Sequence, residues 1–214
     1  RMWMVVQEAI KILTQIIDQI GHINREVCPD LFASVVHSIV GQQISTKAHK
    51  TIWLKLQAEL GEVNAETILN AGRDRLQQLG TTYKKVDYIL DFAGKVASGE
   101  LNLTELSQLP DEEFIAELSK LKGIGVWTAE MILLFCLQRP NVFSYGDLAI
   151  LRGVRMVYHH RVITKDLFEK YRRRFSPYCS VASLYFWAVA GGAIPEMKDY
   201  APKKSQKKKI IGGN

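Results

Sequence analysis

Apolar residues recur at three- and four-residue spacing along almost all of this 214-residue chain, a period that fits helix and not strand. The pattern predicts helices over 3–20 (Val6, Ile10, Leu13, Ile17), 30–59 with a break at Gly41, 65–71, 74–79 and 83–98. Further helices are predicted over 110–120, 126–137, 147–159, 164–175 and 178–190. Their ends carry residues that satisfy open helix termini. Asp30 after Pro29 and Asn64 read as N-caps, and Gly80 and Gly99 as stops. Three acids follow Pro110 in a first turn, where they complement the helix dipole. No alternating run has comparable strength, and only Val142-Phe143 reads as extended. The expected class is all-α, in short helices joined by short turns.

Composition sets the outer bounds. A chain of this length buries one sizeable core or two small lobes. No run reaches the roughly eighteen apolar residues of a membrane span, so no membrane partner is expected. Trp3-Met4-Val5-Val6 lacks the charge layout and cleavage site of a secretory leader. Cys28, Cys136 and Cys179 are odd in number and far apart, which predicts free thiols in a reducing compartment. That compartment is the cytoplasm of a bacterium or archaeon, or the nucleus of a eukaryote. Without a CxxC pair, neither zinc nor a four-cysteine cluster is expected. The net charge of +6 has a local origin: Lys203, Lys204, Lys207, Lys208 and Lys209 crowd the last dozen residues. The remaining 23 basic residues nearly balance 22 acidic ones. Residues 201–214 therefore read as a flexible basic tail that adds salt-sensitive phosphate attraction.

The most specific local feature is 121-LKGIGVWTAEMIL-133. Gly123 and Gly125 make a tight hairpin between two helical patterns. Their bare backbone lets a phosphate approach the N–H groups of the helix that follows. Beyond it stands 143-FSYGDLAI-150, where Asp147 reads either as the N-cap of the helix over 148–159 or as a lone reactive carboxylate. Breaking an N-glycosidic bond builds positive charge on the sugar, and a carboxylate near C1′ stabilises it. No second well-placed acid is visible to protonate a neutral leaving base. One carboxylate suffices when the base is an alkylated purine, already cationic and weakly held. Lys47, and Tyr83, Lys84 or Lys85 after the Gly80 turn, are candidate phosphate contacts.

Together with 40-VGQQIS-45, these blocks resemble the helix-hairpin-helix/Gly-Pro-Asp superfamily of DNA repair glycosylases, and within it the DNA-3-methyladenine glycosylase II branch. The resemblance covers about residues 30–192. It implies two helical lobes flanking a DNA-binding cleft, one formed by 1–29 with 137–200 and the other by 30–136. It implies Asp147 as the catalytic carboxylate, and Trp127, Trp187 and Tyr145 as the walls of a pocket for a flipped base. Tyr185 and Phe186 are weaker pocket candidates; Trp53 reads as packing. Gln43, with Ser45 second, would fill the gap in the stack from the minor groove. Gly123, Gly125, Lys122, Lys47 and Lys85 would meet the DNA backbone. The carbonyls of Ser119, Leu121 and Ile124 would hold a sodium or potassium ion that bridges to a phosphate, and no organic cofactor is implied.

Relatives that also cleave the strand carry lysine two residues after the second hairpin glycine, as a Schiff-base nucleophile. Here that position is Trp127, which implies base excision by water alone. The chain departs from the family pattern at Lys122, usually proline, and at Cys179, where an arginine commonly follows the Pro-aromatic pair. The expected function is a monomeric, monofunctional glycosylase removing alkylated purines, 3-methyladenine and 7-methylguanine, from double-stranded DNA in base excision repair. Two rival readings are a glycosylase for mispaired or oxidised bases, and a non-catalytic helix-hairpin-helix module that only binds DNA. A purely structural helical protein would leave the co-occurring motifs unexplained. His159, His160 and Arg172-Arg173-Arg174 read as a solvated face.

Overall fold

The computed structural model describes residues 2–202, with side chains from residue 11 onward. Among the described residues there are eleven helices and no strand. None of these helices is long and apolar enough to cross a membrane. The basic run at 203–209 lies outside the described residues. The chain divides into two compact units, 1–23 with 147–214, and 24–146. The boundaries fall at 23/24 and 146/147, not at 29/30 and 136/137 as expected. Hydrogen bonds explain the shift. The Cys28 N–H donates to the Phe135 carbonyl and Ser34 Oγ to the Cys28 carbonyl, which holds the segment after residue 24 in the second unit. Arg139 donates through Nη2 to the carbonyls of Ser107 and Leu109 and pairs with Asp111, which holds the segment after residue 136 there too.

The second unit is built around α2 (Leu31–Gly41), whose sequence LFASVVHSIVG is mostly apolar and has no exposed residue. Asp30 caps it, accepting from the Ala33 N–H. Val35, Val36, Ile39 and Val40 are fully buried, and Phe32 stacks on Phe92 with ring centroids 4.8 Å apart. The neighbours are α3 (Thr46–Leu60), α5 (Tyr83–Ala97), α6 (Leu103–Gln108) and α8 (Val126–Phe135). The predicted helix over 30–59 is in fact two, because residues 42–45 leave helical geometry, with Gln43 at φ 57. α4 (Ala65–Gln78) carries a kink at Gly72, φ 73, which separates the two short helices read from the sequence. Asn64 and Thr67 close its start as a reciprocal capping box. α6, capped by Asn102, was not anticipated, and α7 (Asp111–Leu118) is the first arm of the hairpin. Val142–Ser144 forms no strand.

His37 of α2 and His49 of α3 pack ring against ring at 4.0 Å, and His49 Nε2 lies 3.0 Å from the His37 carbonyl. Trp53 meets His37 edge-on, the packing role expected of it. A Cβ on Gly41 would stand 2.5 Å from His49 Cε1, so the imidazole occupies the space that glycine leaves. Burial, followed by the charge of His49, pushes the pKa of His37 down to about 4.

The first unit centres on α11 (Cys179–Ala190), again mostly apolar, with α1 (Met2–Ile20), α9 (Leu148–Tyr158) and α10 (Lys165–Phe175) against it. α9 crosses α11 so closely that a Cβ on Gly153 would lie 2.3 Å from the Phe186 carbonyl oxygen. Phe186 is fully buried near Phe175, and the Tyr185 hydroxyl donates to the Gly21 carbonyl at the end of α1. Both aromatics are core, not pocket. Cys179, at the position where an arginine was expected, is a buried thiol that donates to the Arg172 carbonyl, and burial pushes its pKa up to about 11. Two parallel hydrogen bonds from Arg155 to Asp199 tie the segment after α11 back to α9. The arginine run is less solvated than expected: Arg172 pairs with Glu169 and the Arg174 guanidinium lies 5.2 Å over the Tyr171 ring. His160 is likewise engaged, on the Tyr171 hydroxyl.

Two measurements test this packing. Gly153→Ala forces a methyl group onto rigid backbone and should lower unfolding free energy by about 1–3 kcal/mol, read as a reduced urea midpoint at unchanged slope. An unchanged midpoint would show that α9 and α11 are not in that contact. The half-buried histidine His37 acts through pH. A histidine whose native pKa lies below its unfolded value contributes stability that is complete above the unfolded value. That stability is lost as the unfolded chain takes up protons at lower pH. For His37 the window runs from 6.5 down to about 4. Tm should fall across it, and fall less in His37→Gln; identical profiles would exclude the half-buried neutral imidazole.

Candidate DNA-binding and base-excision site

The hairpin joins α7 to α8 in the second unit. Gly123 is at φ 83, and a Cβ there would lie 2.4 Å from Tyr88 Cδ2, so both its angle and its neighbour require glycine. Gly125 differs from the expectation. Its φ of −100 is ordinary, and nothing lies within 4 Å of where its Cβ would be. Its missing side chain leaves open space on the outer side of the turn. α8 starts with no side-chain cap and no acid in its first turn, which leaves leading N–H groups able to take an anion. The Leu121 carbonyl accepts the Ile124 N–H, while those of Ser119 and Ile124 accept no protein hydrogen bond among the described residues. The Ser119 hydroxyl is buried without a partner. Such hard, under-used oxygens suit a small monovalent cation.

The turn between α2 and α3 lies against the hairpin. Gln42 Nε2 donates to the Gly123 carbonyl at 2.5 Å. Gln43 is exposed and in the left-handed region. Ser45 does not project as a free side chain; its hydroxyl caps α3 by accepting from Ala48 N–H. Trp127, 49% exposed, shares a cavity of about 550 Å3 with Gln42, Gln43, His37 and Met131. His37, His49 and Met131 were passed over in the sequence, where a histidine or methionine at helical spacing reads as core.

The basic candidates separate. Lys47 is exposed at the start of α3. Lys122 pairs with Asp91 at 3.1 Å, so part of its charge is already answered. Lys85 departs from its expected role: its ammonium points inward and donates to the carbonyls of Val40 and Gln42. Tyr83 receives the Arg73 guanidinium over its ring at 4.3 Å.

The segment leading out of the unit is anchored to α8, because Ser144 Oγ donates to the Glu130 carboxylate. Tyr145 and Gly146 follow, both exposed. Asp147 opens the first unit's return as the N-cap of α9. It is 6% exposed, and its Oδ1 accepts from the N–H groups of Ala149 and Ile150, each at 2.9 Å. The capping and reactive readings are thus compatible, since the cap fixes the direction of the carboxylate. Trp187 lines a depression of about 440 Å3 with Leu148, Ala149 and Arg152, at the same end of α9.

The chain is similar in sequence and fold to known proteins. The chain is 34% identical over 125 residues to the putative DNA-3-methyladenine glycosylase YfjP of Bacillus subtilis, covering 57% of this chain and 43% of that protein. It spans about half the length of this and a second Bacillus subtilis relative. A DNA-3-methyladenine glycosidase structure from Bacillus halodurans superposes with a TM-score of 0.77 at 34% identity, covering 86% of this chain and 87% of that one. The Schizosaccharomyces pombe 3-methyladenine DNA glycosylase Mag1, solved in complex with abasic DNA, gives 0.71 at 25% identity, covering 83% and 90%. Residues 36–177 match the HhH-GPD superfamily of base excision DNA repair proteins, and the chain belongs to that family.

Proposed function

We propose that the chain is a monofunctional DNA glycosylase that hydrolyses the N-glycosidic bond of alkylated purines, chiefly 3-methyladenine and also 7-methylguanine, in double-stranded DNA. The observation that carries this reading is the carboxylate of Asp147, the one buried acid among the described residues, oriented by two backbone N–H groups at the start of α9, the end that also borders the Trp187 depression. Relatives named as 3-methyladenine glycosylases support it.

In this mechanism the hairpin N–H groups hold a backbone phosphate, with Lys47 contributing charge, and Gln43 occupies the gap left by the flipped nucleotide. A monovalent cation on the carbonyls of Ser119, Leu121 and Ile124 would strengthen the phosphate grip. Trp127, Trp187 and Tyr145 offer electron-rich faces to a cationic purine, each worth about 0.5–2 kcal/mol. The C1′–N bond breaks with its electron pair passing to the purine, whose positive charge it neutralises. Charge then resides on the sugar beside the Asp147 carboxylate. Water adds its oxygen to C1′, and its released proton passes to that carboxylate or to solvent. Trp127 has no amine with which to attack C1′, so the product is an abasic site in an uncut strand. The protein is expected to act as a monomer.

Release of free methylated bases from alkylated duplex DNA, followed by chromatography, tests this directly. Asp147→Asn should lower release by about 10²–10³-fold. Its Tm should stay close to wild type, since asparagine caps a helix as well as aspartate does. Asp147→Ala should in addition lose about 1 kcal/mol of stability. No strand should break without added alkali, and borohydride should trap no covalent complex. Near-wild-type release by Asp147→Asn would sink the assignment, and a trapped complex would sink its monofunctional part.

A further inference from the structure

Two lysines, Lys84 and Lys85, stand in the first turn of α5, where no acid accompanies them. Cations there oppose the helix dipole, a local cost that some other contact must offset. For Lys85 the compensation is visible. Its ammonium donates to the Val40 carbonyl at 2.9 Å and the Gln42 carbonyl at 2.6 Å. These oxygens close the C-terminal end of α2, a negative dipole end whose own last turn carries no basic residue. The same turn is held from a second side by Gln42 Nε2 on the Gly123 carbonyl, and from a third by His49 seated on Gly41. Between these fixed points Gln43 adopts φ 57, a left-handed conformation that a non-glycine residue keeps only under constraint.

We propose that Lys85 is a positioning residue: it staples the α2–α3 turn in the conformation that presents Gln43. Through Gln42 it also joins that turn to the hairpin, so that both engage DNA as one rigid piece. This rests on the reading of Gln43 as the side chain that fills the emptied stack. It assigns Lys85 no phosphate, although a lysine beside the Gly80 turn invites that role.

The test uses the full chain with two labelled duplexes, one carrying a tetrahydrofuran abasic analogue and one undamaged, over a series of salt concentrations. Lys85→Met should weaken binding to the abasic duplex about tenfold, the scale of one charged hydrogen bond, with little change on undamaged DNA. The slope of log affinity against log salt should stay at its wild-type value. Gln43→Ala should give a similar selective loss, and the double variant should be no worse than the poorer single one. Lys85→Arg should recover most of the affinity. A slope reduced by about one would identify a phosphate contact and overturn the proposal. So would equal losses on both duplexes, or additive losses in the double variant. If Lys85→Met does not fold, Gln42→Leu, which cuts the staple on its other side, decides: retained lesion selectivity overturns the idea. A wild type that binds both duplexes equally removes the role of Gln43 and this proposal with it. Discrimination that survives Lys85→Met removes the staple alone. Absence of base release tests the excision reading separately.

Discussion

Asp147 Oδ1 accepts two backbone N–H groups in the first turn of α9, and the proposed chemistry depends on that carboxylate being held still. A flexible aspartate would lose rotamer freedom each time it met a substrate, whereas an N-cap has already given it up on folding. Direction is fixed by backbone N–H groups, which no side-chain substitution short of proline at 149 or 150 removes. The two elements flanking the cap are themselves fixed. Ser144 ties the incoming segment to Glu130, and α9 is locked to α11 where Gly153 meets the Phe186 carbonyl. On the proposed function, a carboxylate held in place before the lesion arrives suits action on rare lesions.

Within each unit, glycine lets elements approach at distances no other residue permits. Gly41 receives the His49 ring, Gly123 the Tyr88 ring and Gly153 the Phe186 backbone. In each case a missing Cβ is replaced by a group from a separate helix, so the glycine specifies tertiary packing more than local conformation. Gly123 alone of the three also needs its positive φ. Gly125, with ordinary angles and open space around it, is the one whose empty side faces outward.

The legible parts of the sequence are those governed by short range. Asp30, Asn64 and Asp147 read as caps because the N–H groups they satisfy lie two or three residues on, and the structure bears each out. The hairpin and the break after Gly41 follow from the same local chemistry. α6 escaped notice because six residues hold too few apolar positions to show a period. The partners of Lys85 and Gln42 escaped for a different reason: they stand 43 to 81 residues away, and nothing in the lysine's own neighbourhood shows them. A basic residue after a turn resembles a phosphate ligand whether it faces out or in. Ser45 misled similarly, because a hydroxyl at a turn can cap or protrude, and here it caps.

On the proposed function, the contrast between Glu130 and Asp147 bears on which lesions this chain would process. Glu130 is the one acid in α8, the helix that carries Trp127, and it accepts the Ser144 hydroxyl. On the proposed reading Glu130 serves as a structural acceptor and is assigned no part in protonating a departing base. Excision without acid assistance then favours bases that leave without added protons. N3- and N7-alkylated purines meet that condition because their charge is discharged, not created, when the bond breaks. A neutral oxidised or mispaired base does not. The preference would therefore arise from a structural hydrogen bond as much as from the shape of a pocket.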